Sequence, residues 1–192
     1  MINVRTAFLR LLEVLDGMEI RYMIGGSLAS SAYGTYRSTN DIDIVAEIKE
    51  QDIPRLVSQL SADFYTDAET MREAIRRGRP FNMIHFASSY KFDIFPLTDD
   101  PYSAVQLERR MFQELSMVEG ESVKCPVASP EDTILAKLVW YRLGSEQSER
   151  QWNDLRGIRS VQGTRLDYNY LRKWAAHLRV QDLLARLLSE EL

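Results

Sequence analysis

The chain has 192 residues, 45% of them hydrophobic, which suits one compact domain or a core domain with a smaller helical appendage. A net charge of −4 argues against a general nucleic-acid binder, so no general DNA binding is expected. The single Cys125 excludes an internal disulfide, and without a signal-peptide pattern or a bilayer-length apolar run we expect a soluble, cytoplasmic protein with no membrane partner.

Hydrophobic periodicity predicts alternating helices and strands in the first half of the chain. An amphipathic helix over 4–16 ends at Gly17, where the pattern stops. The elements that follow are a strand over 21–24, a short helix over 27–33, a strand over 41–48, helices over 53–60 and 68–78, a hairpin of strands over 81–87 and 92–97, a helix over 102–117, and a short strand within 121–128 that ends at Pro126. This half therefore predicts a mixed sheet flanked by helices.

The second half is predicted to be helical. Ser129 precedes Pro130, and Asp132 follows three residues after the serine, which is a helix-start signature. Later helices are predicted around 151–161, 168–178 and 181–188. The tryptophans of this half are spaced like core anchors, although one could stack on a nucleobase: Trp140, Trp152 and Trp174. The predicted fold class is α+β, with a mixed core over 1–127 and a C-terminal helical bundle over 128–192 packed on it.

Two aspartates stand in a strand-like run. Alternation places Asp41 and Asp43 on one face, about 7 Å apart, while Ile42 and Ile44 face the core. Neighbouring carboxylates repel each other and raise their pKa values unless a cation compensates. Mg²⁺ does so directly, since it prefers one or two carboxylates together with waters and phosphate oxygens. Asp93, also inside an apolar strand, is the candidate third ligand of a two-metal site.

The alternative for these carboxylates is structural. Most Asp-x-Asp pairs are turn or surface residues, and in an unrelated α/β protein they would hold no metal. The strand-like setting of the pair, the third aspartate and the glycines upstream favour the metal site.

Gly25-Gly26-Ser27 follows a predicted strand and opens a predicted helix. Glycine lets the backbone approach a phosphate closely, and a helix N-terminus supplies free N–H groups and the positive end of a dipole. Ser27 adds a hydroxyl donor. An ordinary strand-to-helix turn is the alternative interpretation.

The stretch "GGSLASSAYGTYRSTNDIDI" closely resembles the signature of the DNA polymerase beta-like nucleotidyltransferase superfamily: an apolar strand, Gly-Ser, a short helix, then Asp-x-Asp on the next strand. Its "RSTNDID" portion, with Arg37, Thr39, Asp41 and Asp43, is the form common in bacterial minimal nucleotidyltransferases. These include the AbiEii-type toxins of toxin–antitoxin systems. Asp93 matches the third carboxylate of the family.

A weaker match covers "SPEDTILAKLVWYR" and "ERQWNDL". Toxin-like relatives carry a lysine in the first of these helices and an aspartate in the next, positions that Lys137 and Asp154 occupy here. Simpler interpretations exist for both residues. Lys137 has apolar helix neighbours over which its stem could pack, and Asp154 follows Arg150 by four positions, as in a helix-surface ion pair.

The resemblance implies a Mg²⁺-dependent enzyme, with two ions and with Mn²⁺ as a substitute, that transfers NMP from an NTP to an acceptor hydroxyl and releases pyrophosphate. Asp41 and Asp43 would hold the ion on the triphosphate, and Asp93 would help to hold a second ion and favour deprotonation of the acceptor. The implied nucleotide-binding residues are Gly25, Gly26, Ser27, Arg37, Thr39, Lys137 and Asp154.

The acceptor stays open at this level. The toxin-like helices favour an RNA end or a protein hydroxyl, which would make the chain a toxin with a cognate antitoxin as its partner. A small antibiotic is a second class of acceptor, and a non-catalytic binding or regulatory module on the same fold is the alternative to an enzyme.

Overall fold

The computed structural model describes residues 4–39, 41–116 and 122–190. The helices in these ranges are α1 (Val4–Gly17), α2 (Gly26–Tyr33), α3 (Ile53–Leu60), α4 (Ala68–Arg76), α5 (Pro101–Glu108), α6 (Pro130–Leu143), α7 (Glu149–Gln162), α8 (Tyr168–His177) and α9 (Gln181–Ser189), with short 3₁₀ turns at Glu50–Asp52 and Gly163–Arg165. The strands are β1 (Tyr22–Ile24), β2 (Asp41–Ala46), β3 (Phe64–Tyr65), β4 (Phe81–His85), β5 (Lys91–Pro96), β6 (Met111–Ser116) and β7 (Ser122–Val127).

All seven described strands form one mixed sheet, in the order β3-β4-β5-β2-β1-β7-β6. β2 pairs in parallel with β5, and β1 in parallel with β7, while the other neighbours are antiparallel. The predicted α+β class is therefore confirmed. The parallel register of β2 and β5 sets Asp43 directly beside Asp93.

The two faces of β2 and β5 differ as the alternation predicts. Ile42 and Ile44 of β2 are buried, together with Phe92 and Ile94 of β5. They belong to a hydrophobic cluster whose buried members run from α1 to α9. The aspartates of both strands lie on the opposite face, which leaves their carboxylates outside the core. Among the described residues, no helix combines the length and apolar character needed to cross a bilayer.

The helix predicted over 102–117 is wrong beyond its first turns. α5 ends at Glu108, and the chain then forms β6, which pairs with β7 from Met111 to Ser116. Local periodicity does not reveal this pairing, because the partner strand lies later in the sequence. Met117 itself lies outside the described residues.

β7 runs through Pro126 to Val127, whereas the proline was expected to end the strand. The ladder between β7 and β1 consists of the single pair Val127 and Ile24. Proline lacks an N–H donor, and it is tolerated in a strand where no ladder bond needs that donor. The two-residue β3 was not predicted at all, since a run this short carries no periodicity.

A buried carboxylate fastens three helices together. Asp132 of α6 is only 1% exposed and accepts hydrogen bonds from the hydroxyls of Tyr102 of α5, at 2.9 Å, and Tyr170 of α8, at 2.6 Å. It also accepts a bond of 2.6 Å from Ser129 Oγ, and Ser129 in turn accepts from the Asp132 N–H at 3.1 Å. The predicted cap of α6 is thereby confirmed.

We expect Asp132→Ala to lower the free energy of unfolding by about 2–4 kcal/mol, because it leaves several buried donors without a partner. Urea denaturation measures the change. The matched control is Asp182→Ala, which removes an exposed ion pair with Arg142 and should change stability by less than about 1 kcal/mol. Equal effects of the two substitutions would contradict the role given to Asp132.

Candidate active site

A cleft of about 720 Å³ lies between the aspartate-bearing face of the sheet and the helices α6 and α7. Asp41, Asp43 and Asp93 line it on the sheet side, and Lys137 lines it on the helix side. Gly25, Gly26, Ser27 and Arg37 line the same cleft. The structure thus brings together nearly all of the predicted site residues, although they are spread over more than a hundred positions of the chain.

The turn between β1 and α2 is built for a close approach to Asp43. Gly26 has φ +54°, a backbone conformation that residues other than glycine rarely adopt. A Cβ atom at this position would lie 1.6 Å from Asp43 Oδ2. The N–H of Gly25 donates to the carbonyl oxygen of Asp43 at 2.9 Å. The first turn of α2 and the Asp43 carboxylate therefore sit against each other, and only glycine leaves room for both.

Burial and the neighbouring carboxylates raise the pKa of Asp43. Burial, together with the charges of Asp41 and Asp93, raises the pKa of Asp43 to about 6 from its ordinary value of 3.8. Lys137 and Lys91 oppose this rise only in part. The neighbouring carboxylates of Asp41 and Asp43 suit a divalent cation, because a cation relieves their repulsion and they supply the hard oxygen donors that Mg²⁺ prefers. The donor chemistry of the site therefore fits the predicted metal.

Asp41 and Asp93 are each engaged by a neighbour. Thr39 Oγ1 donates to Asp41 Oδ1 at 2.6 Å, which orients that carboxylate. Lys91 Nζ lies 2.7 Å from Asp93 Oδ2. In this arrangement no three acidic, histidine or cysteine side chains of the described residues converge as a metal-binding group. Two carboxylates are enough for Mg²⁺ on a phosphate, and Asp93 would join them if Lys91 released it.

Asp154 of α7 links two cations of the cleft. Arg37 Nε donates to Asp154 Oδ1 at 3.0 Å, and Lys137 Nζ donates to Asp154 Oδ2 at 2.7 Å. Arg37 also donates through Nη2 to Ser27 Oγ, at the start of α2. Asp154 thus bonds to Arg37 and Lys137, rather than to Arg150 as in the simpler interpretation.

These ion pairs are shielded from water. Lys137 is 7% exposed, so its charge is held inside the protein rather than resting on the surface of α6. Burial lowers the pKa of Lys137, and the bond to Asp154 opposes this change. Burial alone would raise the pKa of Asp154, but hydrogen bonds from Arg37 and Lys137 leave it below its ordinary value. The cluster therefore carries a net positive charge beside Ser27 and Gly26.

Two further residues belong to this region: Lys91, which was not predicted as part of a site, and Trp140, one of the three tryptophans of which one was expected to be able to stack on a nucleobase. Lys91 lies on the same strand face as Asp93, two residues before it, and this alternation was visible in the sequence. Trp140 follows Lys137 by three positions, which places both on one face of a helix. It is 44% exposed and lines the cleft, so it is not a core anchor, whereas Trp152 and Trp174 are buried.

Comparison with solved structures identifies the architecture. The antibiotic-resistance factor ANT(2″)-Ia, as its solution structure, matches with a TM-score of 0.53 at 13% identity, covering 94% of this chain and 96% of that one. The chain has the nucleotidyltransferase fold. The crystal structure of ANT(2″)-Ia with adenylyl-2″-tobramycin gives a TM-score of 0.51 at 16% identity, covering 91% and 95% of the two chains.

A third structure with this nucleotidyltransferase fold is an antigenic nucleotidyltransferase-like protein from Paracoccidioides brasiliensis. It matches with a TM-score of 0.50 at 18% identity, covering 95% of this chain and 92% of that one. No family model and no curated protein matches the sequence. The likeness therefore lies in the fold, at a sequence identity that leaves the activity to be argued from the site.

Gly26→Ala tests the close approach of α2 to Asp43. A Cβ here meets the carboxylate and holds the residue at an unfavourable positive φ, so we expect the free energy of unfolding to fall by about 1–3 kcal/mol. Gly17→Ala is the matched control, because nothing lies within 4 Å of its added Cβ. If urea denaturation finds the two variants equally stable, the contact is not as tight as described.

Asp43→Asn tests the repulsion between the carboxylates. With a pKa of about 6, the folded state binds the Asp43 proton more tightly than the unfolded state, so wild-type stability falls as pH rises from about 4 to about 6. The variant removes this loss. In metal-free buffer at pH 7.5 it should be more stable than wild type by about 1–2 kcal/mol, as measured by urea denaturation. A less stable variant would indicate a structural role for Asp43.

Proposed function

We propose that this protein is a Mg²⁺-dependent nucleotidyltransferase, which transfers NMP from an NTP to the hydroxyl of an acceptor and releases pyrophosphate. The observation that carries the proposal is the meeting of Asp41, Asp43 and Asp93 with the start of α2 in one cleft. Carboxylates for a cation and backbone N–H groups for a phosphate are both needed, and the cleft offers both within a few ångströms.

The positive side of the cleft receives the triphosphate. Gly25, Gly26 and Ser27 offer the N-terminus of α2, where N–H groups and the helix dipole attract anions. Arg37 and Lys137 add positive charge from a largely shielded position, and their shared partner Asp154 offsets one of the two charges. Asp154 carries the same sign as a phosphate, so we assign it the task of holding these two cations in place rather than touching the nucleotide.

The carboxylate side receives the metal and the acceptor. Asp41 and Asp43 would hold Mg²⁺, with Thr39 orienting Asp41. Bound Mg²⁺ supplies positive charge that neutralises the phosphate oxygens around the reacting phosphorus. The acceptor oxygen attacks the α-phosphorus, the bond to the bridging oxygen of pyrophosphate breaks, and Asp93 takes the proton of the acceptor hydroxyl. Lys91 Nζ, 2.7 Å from Asp93 Oδ2, holds this carboxylate in place beside the other two aspartates.

A small molecule is the acceptor class that the cleft supports best. Beyond Asp93 the lining is mainly apolar or uncharged, with Pro80, Phe95, Leu97 and Leu178 among its residues. An RNA end would need several lysines or arginines for its phosphates, and apart from Arg37 and Lys137 the described lining of the cleft includes only Arg150. The structural relative ANT(2″)-Ia, described as an antibiotic-resistance factor, was solved with an adenylylated tobramycin. The RNA or protein acceptor and the cognate antitoxin stay predictions of the sequence.

Asp41→Asn and Asp43→Asn should each lower the rate of NMP transfer by at least about a hundredfold. Loss of a residue that only supports a metal ligand costs up to about a hundredfold, and loss of a direct ligand should cost at least as much. Transfer is measured with each α-labelled NTP, Mg²⁺, and either the low-molecular-weight or the macromolecular fraction of a cell extract. Label should enter the low-molecular-weight fraction. Asp182→Asn, an exposed change on α9, is the control that should keep the wild-type rate.

Two results would count against this proposal. Wild-type transfer by either aspartate variant would contradict the metal assignment. If calorimetry with Mg²⁺ finds that the wild-type protein binds no NTP, the non-catalytic binding module becomes the better description.

A further inference from the structure

The helices α6 and α7 form one wall of the cleft, and they run antiparallel. Lys137 contacts Asp154 at 2.7 Å, while the rings of Tyr141 and Trp152 lie 4.9 Å apart. As the residue number rises along α6, the number of its partner on α7 therefore falls. Side chains on the two helices consequently meet in levels, one helical turn apart.

The level next to Lys137 and Asp154 has a different chemistry. Trp140 lies three residues after Lys137 on α6, and Gln151 lies three residues before Asp154 on α7, so both are displaced in the same direction by about 4.5 Å along the helix axes. Both line the cleft. One level therefore presents charges, and the next presents a flat aromatic ring and a carboxamide.

The setting of Trp140 is that of a ligand platform. The residue is 44% exposed, and its ring packs against Phe95 of β5 with an interplanar angle of 69° and a centroid distance of 5.7 Å. The edge-on contact holds the indole in one orientation without stacking on it. An oriented aromatic ring that faces a cleft provides a surface on which a planar ligand group stacks.

The setting of Gln151 also indicates a missing partner. Its side-chain Oε1 is covered from solvent and accepts no hydrogen bond from any described residue. A covered acceptor without a donor is unfavourable. The terminal torsion of glutamine is broad, so a small rotation turns this amide toward the cleft, where a ligand can donate to it.

We propose that Trp140 and Gln151 form the nucleobase subsite of this protein, with Trp140 stacking on the base and Gln151 bonding to its edge. The inference rests on the proposed function, because it takes the adjacent Lys137 level as the phosphate subsite. An amide offers both a donor and an acceptor, so it serves the edge of any base. Stacking then sets the preference, and purines, which present two fused rings, bind more tightly than pyrimidines.

The experiment compares ATP, UTP and inorganic tripolyphosphate, each with Mg²⁺, by calorimetry and by tryptophan fluorescence. ATP should bind wild type more tightly than UTP and should quench the exposed Trp140, whereas tripolyphosphate should bind without quenching. Trp140→Ala should weaken ATP binding by about tenfold or more and leave tripolyphosphate binding unchanged. Trp140→Phe should restore most of the affinity for ATP, and Gln151→Leu should weaken ATP several-fold without affecting tripolyphosphate.

Leu143→Ala is the matched control. It lies one helical turn beyond Trp140 on α6, is 67% exposed and does not line the cleft, so ATP binding should stay at the wild-type value. The nucleobase assignment is overturned if Trp140→Ala leaves ATP binding unchanged, as it would if this ring served the acceptor, or if it weakens ATP and tripolyphosphate equally. Failure of wild type to bind either compound would instead overturn the proposed function, and the subsite with it.

Discussion

The contact between the Gly26 backbone and the Asp43 carboxylate is the constraint on which the rest of the site depends. It joins the first turn of α2, which attracts anions, to a strand that carries two carboxylates. The N-terminus of α2 attracts an anion, and the carboxylates of β2 attract a cation. The two lie so close together that one ligand must satisfy both, as a phosphate with a bound cation does. The cost of this arrangement is visible in the raised pKa of Asp43, which results first from burial and then from the neighbouring charges of Asp41 and Asp93.

The C-terminal helices complete the site rather than only covering the sheet. Lys137 and Asp154 come from α6 and α7, yet they meet Arg37, which belongs to the loop after α2. The same two helices present Trp140 and Gln151 one turn further along. Asp132 fastens α6 to α5 and α8, which fixes the position of this wall relative to the sheet. The hydrophobic cluster that runs from α1 to α9 supports the same arrangement.

Local patterns were sufficient for most of the elements and for the nature of the acidic site. The alternation in β2 correctly predicted which side chains are buried, and the capping residues correctly predicted the start of α6. The failures have a common cause. The segment after α5 forms a strand because β7 pairs with it. β7 continues through Pro126 because β1 pairs with β7 only at Val127, so no ladder bond to β1 requires an N–H at Pro126. Both outcomes depend on a partner that is distant in sequence, which no local window contains.

The sequence by itself determined the chemical identity of the site: two carboxylates on one strand face, a third within an apolar run, and glycines where a strand meets a helix. The alternation of side chains along a strand and the lack of a side chain in glycine are local properties, so both can be inferred from the order of residues. Only the tertiary structure decided which groups meet. The register of β2 and β5 set Asp43 beside Asp93, and the antiparallel pairing of α6 and α7 made Asp154 the partner of Lys137 and Arg37. Long-range packing fixes these contacts, and it also left Trp140 facing the cleft instead of the core.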